Sequence, residues 1–142
     1  MTCFFDTSAL AKRYTGEPEG RLVARLLDHH EVALSRLSEV EVTSALARLE
    51  REGAIKRREM EATIHIMLSE FAFWRVVDID PEVTALAREV AGRHPLRANE
   101  AIQLATALLI ERRFGKRLDG FVVFDRRLAT AARGEDLAVI GA

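Results

Sequence analysis

CFFDTSALAKRY, Cys3 to Tyr14, sets an aspartate directly behind a short apolar run and then resumes with residues that favour a helix. Thr2 to Phe5 reads as a buried strand, and Ser8 to Tyr14 as a helix whose start is capped by Asp6, Thr7 or Ser8. The same alternation continues along the chain. Leu22, Val23, Leu26 and Leu27 recur at helical spacing, and EVALS (Glu31 to Ser35) is a second strand. LSEVEVTSALARLEREG, from Leu37, opens with a cap signal and closes on Gly53, a helix C-cap; Arg57 to Phe71 completes a helical hairpin. WRVVDI (Trp74 to Ile79) is a third strand, and the helix from Pro81 begins with proline where a helix tolerates it. Asn99 to Phe114 is a helix too rich in alanine and leucine to lie on a surface. FVVF (Phe121 to Phe124) and LAVI (Leu137 to Ile140) supply two more strands. Continuous apolar strands alternating with helices predict a mostly parallel sheet covered on both faces, a three-layer α/β/α sandwich.

The chain of 142 residues is the size of one domain, and residues 1–142 are read as a single unit without a linker. Hydrophobic residues make up 49% and charged residues 30%, a composition that excludes a disordered or fibrous chain. The lone cysteine, Cys3, sits in the first apolar run and reads as a small buried hydrophobe, which suits a reducing, cytoplasmic setting. No window approaches the ~20 apolar residues of a membrane helix, so no membrane is expected. A net charge of -1 argues against coating nucleic acid through bulk positive charge. A polyanion must instead be held by local patches, for which the chain offers Arg48, Arg51, Lys56, Arg57 and Arg58, then Arg112, Arg113, Lys116 and Arg117, then Arg126 and Arg127. The same residues serve equally as solvated helix faces.

Ligand crevices in open parallel sheets lie beyond the carboxyl ends of the strands, where helix N-termini also point. Four acids are expected there. Asp6 ends the first strand, Asp125 ends FVVF, and Glu41 and Glu100 occupy the opening turns of two helices. Each alone is explained as a helix cap. Gathered within ~4–6 Å they would repel one another, a conflict that a cation resolves. Mg²⁺ and Mn²⁺ prefer oxygen donors and are held by few carboxylates, waters and substrate phosphates. Ser8 would then orient a water or a phosphate oxygen. The histidines His29, His30, His65 and His94 show no metal-ligand spacing and read as surface residues. Signatures of a serine hydrolase elbow or a P-loop are absent, and an aspartyl-phosphate enzyme would carry a second acid where Ser8 stands.

FFDTSALAKRY, LSRLSEVEVTSAL, RANEAIQLATAL and FVVFDRRLATAA together resemble, in order and over nearly the whole chain, the four acidic motifs of the PIN-domain nucleases. The compact length is similar to the VapC-type toxins of toxin–antitoxin pairs. The resemblance implies a Mg²⁺- or Mn²⁺-dependent ribonuclease, inhibited by a separate antitoxin protein and often a homodimer. It carries the acidic site onto Asp6, Glu41, Glu100 and Asp125, with Asp6, Glu100 and Asp125 as metal ligands and Glu41 as a ligand or a water-orienting group. Two positions depart from the family pattern. Glu100 stands in place of aspartate, and Val123 in place of threonine or serine; Asn99 is a candidate compensating contact beside Glu100.

An alternative from another class is a non-catalytic module that keeps the fold and binds RNA or a protein partner, its acidic pocket holding a basic side chain. IHIMLSEFAFW places Ile64, Ile66, Met67, Leu68, Phe71, Phe73 and Trp74 in the hairpin, more apolar surface than one helix stripe buries. Part of it is expected to meet a second copy or a partner helix.

Overall fold

The computed structural model describes residues 1–141. In chain order its elements are β1 (Thr2–Phe5), α1 (Thr7–Thr15), α2 (Gly20–His29), β2 (Glu31–Ser35), α3 (Leu37–Arg51), α4 (Arg57–Phe71), β3 (Arg75–Val77), α5 (Pro81–Arg93), α6 (Ala98–Phe114), β4 (Gly120–Val123), α7 (Arg126–Gly134) and β5 (Val139–Gly141). The strands form one sheet in the order β3-β2-β1-β4-β5, and every pairing is parallel. The expected three-layer sandwich is the architecture found.

Alternation along β1 decides which layer each side chain enters. Phe4 faces α5, α6 and α7, in a core that includes Val83, Leu104, Phe121 and Leu128. Cys3 and Phe5 face the opposite way, toward α1 to α4, among Leu10, Val23, Leu46 and Met67. Phe4 pairs in register with Phe121, and their rings stack with centroids 5.5 Å apart. Both faces of β1 are therefore dry, which is why its sequence is a continuous apolar run. Burial pushes the Cys3 thiol up to about 11, so it is inert packing.

Helix α6 matches its composition. Ten of its residues are buried, including Glu100 and Gln103, because it lies between the sheet and its neighbours α5 and α7. Gly53 follows α3 at φ 79°, the left-handed conformation that ends a helix most easily with glycine.

Several local expectations differ from the structure. The strands in WRVVDI and LAVI are only three residues each, Arg75–Val77 and Val139–Gly141. Both are edge strands with one hydrogen-bonded neighbour. The cap signal before α3 resolves one turn earlier: Ser35 Oγ accepts the Leu37 amide proton at 3.1 Å, while Ser38 is buried. Nothing in the spacing separates a helix between FVVF and LAVI, yet α7 forms there, because Asp125 caps it and Leu128, Ala129, Ala131 and Ala132 pack inward. His29 and His65 are exposed as expected, but His94 is half-buried, its Nε2 2.6 Å from Glu135.

Of the hairpin's apolar residues, Met67 and Phe71 are buried, and Ile64 and Trp74 are half-buried. Ile66, Leu68 and Phe73 stay outside the core, at 52%, 44% and 89% exposure. Some members of the basic clusters form ion pairs: Arg57 with Glu50 and Glu61, Arg113 with Asp80 and Glu82, Arg117 with Glu111. Among the described residues no helix is long and apolar enough to cross a membrane.

Candidate active site

The chain leaves β1 for β2 and β3 on one side, then returns to lay β4 and β5 on the other. The direction of winding reverses between β1 and β4, and the crevice at such a reversal opens beyond the carboxyl ends of those strands. Asp6 follows β1 and Asp125 lies just past β4, so both acids stand at that reversal.

Asp6 is held from both directions. Its amide donates to Val122 O at 3.0 Å, continuing the β1–β4 ladder past the strand. Its Oδ2 caps α1, accepting from the Ser8 amide at 3.0 Å and from the Ser8 hydroxyl at 2.6 Å. The Ser8 oxygen in turn accepts the Phe124 amide proton at 2.9 Å. Since its own proton goes to Asp6, Ser8 links the two strand ends and aims Asp6. Asp125 caps α7 through Oδ1, which accepts the Leu128 amide proton at 3.0 Å.

Asp6 is only 5% exposed, and among the described residues no lysine or arginine forms an ion pair with it. Burial pushes its carboxyl up to about 6, and the negative charge of nearby Glu41 pushes the same way against the bonds from Ser8. An unpaired acid in this state gains from any cation brought beside it.

Glu41, on the second turn of α3, sits in a net of donors. Its Oε1 accepts from the Thr7 hydroxyl at 2.7 Å and the Gln103 amide at 3.0 Å, and its Oε2 from the Asn99 amide at 2.8 Å. Asn99 therefore supports Glu41. Glu100 behaves differently. It is 6% exposed, its Oε1 accepts the Arg97 amide proton at 2.8 Å, and Arg127 pairs with the same oxygen at 3.3 Å. Those are the bonds of a third helical residue closing its own helix start.

The four acids are thus not one equivalent cluster. Among the described residues no three acidic, histidine or cysteine side chains are gathered closely enough to hold an ion. Glu100, expected as a metal ligand with Asp6 and Asp125, bonds Arg97 and Arg127. Val123, where a hydroxyl was the family expectation, is fully buried in the core under α5 to α7. Sequence reasoning missed Thr7 and Gln103; the polar pair DT and a glutamine inside an otherwise apolar helix were the available signals.

Mg²⁺ keeps most of its waters and needs one or two carboxylates, and a buried, unpaired Asp6 beside the strand end that carries Asp125 meets that requirement.

A parallel five-stranded sandwich with its acids at the winding reversal defines a class of α/β protein with a charged, oxygen-rich crevice. The PIN domain family model matches residues 3–134, and the chain belongs to that family. Ribonuclease VapC45 and Ribonuclease VapC49, both from Mycobacterium tuberculosis, are each 34% identical over 130 residues, covering 91% of this chain and 88% of the relative. Among solved structures, VapBC2 from Rickettsia felis bound to a promoter DNA fragment superposes with a TM-score of 0.68 at 12% identity, covering 100% of this chain and 99% of that one. VapC20 from Mycobacterium tuberculosis, a sarcin-ricin loop cleaving toxin, gives 0.66 at 23% identity, covering 91% and 94%. At such identities these likenesses speak for the fold.

Proposed function

We propose that this chain is a divalent-metal-dependent endoribonuclease acting as the toxin of a toxin–antitoxin pair. The observation that carries the reading is Asp6: a buried carboxylate without a counter-ion, aimed by Ser8 at the point where the winding reverses. The names of its two curated relatives, both ribonucleases, supply the reaction class.

Asp6 and Asp125 would hold the ion, Mg²⁺ or Mn²⁺. When bound, that ion lowers the pKa of an attacking water and offsets charge developing on the phosphate. Glu41, with both oxygens fixed by Thr7, Gln103 and Asn99, orients the water. Glu100 pairs with Arg127, and Arg126, exposed at the start of α7, would contact a phosphodiester backbone.

Ile66, Leu68 and Phe73 form the surface for a protein partner, with a homodimer and an antitoxin helix as its occupants. Several structural neighbours were solved as toxin–antitoxin complexes, among them one from Klebsiella pneumoniae. A cytoplasmic location fits the buried, free Cys3.

The test is cleavage of varied single-stranded RNAs by purified protein, with Mg²⁺ or Mn²⁺ and after chelation. Metal-dependent cleavage that Asp6→Asn abolishes supports the reading. A wild type inert on every RNA with either ion leaves the non-catalytic module.

A further inference from the structure

Gln103, on α6, is 1% exposed, and its Oε1 is the buried side-chain atom without a hydrogen-bond partner among the described residues. The other end of the same amide is crowded. Nε2 donates toward Thr7 Oγ1 at 2.9 Å, Glu41 Oε1 at 3.0 Å and Ser38 Oγ at 3.2 Å, so its two protons are shared among three oxygens. Turning the amide over would not help, because Glu41 only accepts and would then face a carbonyl oxygen.

A buried amide oxygen left unpaired destabilises a fold, and an apolar side chain of equal length would avoid the loss. Packing alone gives no reason for glutamine at this position. The bonds around it give one. Thr7, the neighbour of Asp6, donates its proton to Glu41, so Ser38 must donate to Thr7. Gln103 reaches all three, tying α6 to α1 and α3 at Glu41, the carboxylate whose charge acts on Asp6.

We propose that Gln103 is a positioning residue whose amide fixes Glu41 for reaction. The proposal rests on the ribonuclease reading above and names the group that orients Glu41.

Four proteins test it: wild type, Gln103→Met, Glu41→Gln and the double variant. Gln103→Met is expected to melt within about 5 °C of wild type, because it removes the unpaired acceptor together with the donor to Glu41, Thr7 and Ser38. Its kcat for RNA cleavage should fall by about 10- to 100-fold with KM changed less than about threefold, as misplacement of a reacting group predicts. In the Glu41→Gln background the same substitution should change kcat by less than about twofold, since its effect passes through Glu41. Unchanged kcat, equal losses in both backgrounds, or a melting temperature more than about 5 °C below wild type would overturn the proposal, the last by making Gln103 a packing residue. Should wild type cleave no RNA, the ribonuclease reading fails by itself. The coupling is then read from the urea midpoints of the four proteins: non-additive midpoints keep Gln103 acting on Glu41, and additive ones refute it.

Discussion

The hydroxyl of Ser8 accepts the amide proton of Phe124 at 2.9 Å while donating its own proton to Asp6 at 2.6 Å. One small side chain thereby ties the end of β1 to the residue after β4 and sets the direction of the buried acid.

Ser8→Ala removes both bonds and leaves the Phe124 amide and the Asp6 carboxylate short of a partner. Urea denaturation should show a loss on the order of 1–3 kcal/mol. Cleavage should fall further than stability explains, since Asp6 is free to turn. A variant as active as wild type would remove Ser8 from the positioning of Asp6.

Asp6 makes stability depend on pH. Its folded pKa, raised from 3.8 to about 6, lies above the unfolded value, so the folded state holds the proton longer. The contribution favours folding below pH 4 and is lost as pH rises toward 6. In metal-free protein, Asp6→Asn should therefore be more stable than wild type at pH 7, by on the order of 1–3 kcal/mol, and gain nothing near pH 4. Denaturation of both proteins at the two pH values reads the difference, and an equal gain at both would contradict a buried, titrating Asp6.

Mn²⁺ should raise the melting temperature of wild type but not of Asp6→Asn or Asp125→Asn, because a ligand that binds only the folded state stabilises it. Glu100→Gln should keep most of that shift, since its carboxylate serves Arg97 and Arg127. A shift lost equally in all three variants would restore Glu100 to the ligand set.

The exposed hairpin residues make the partner surface testable. Ile66→Glu with Leu68→Glu should leave the fold within about 0.5 kcal/mol of wild type, the usual range for surface changes. Co-purification with the protein of the neighbouring reading frame should be lost. Retained complex would move the partner surface elsewhere.

Much of this was legible because it is written in short-range patterns. Alternating apolar strands and helices specified a parallel, doubly covered sheet, and the acids behind Phe5 and Phe124 marked its carboxyl edge. What escaped were the features that depend on a neighbour. The three-residue lengths of β3 and β5 follow from their edge positions, and α7 shows its helical character only through the Asp125 cap and the core it packs against. Val123 looked like a missing hydroxyl at the site, but the alternation of β4 turns it into the core.

The amino-acid sequence by itself determined the layers, the strand direction and which residues carry negative charge at the strand ends, since each follows from periodicity and local capping. Only the tertiary structure decided how those charges differ. Asp6 is buried without a counter-ion, Glu41 is netted by Thr7, Asn99 and Gln103, and Glu100 is neutralised by Arg127. Partners 34 to 62 residues apart in the chain make the bonds to Glu41, and no local pattern encodes which distant donor a carboxylate will meet.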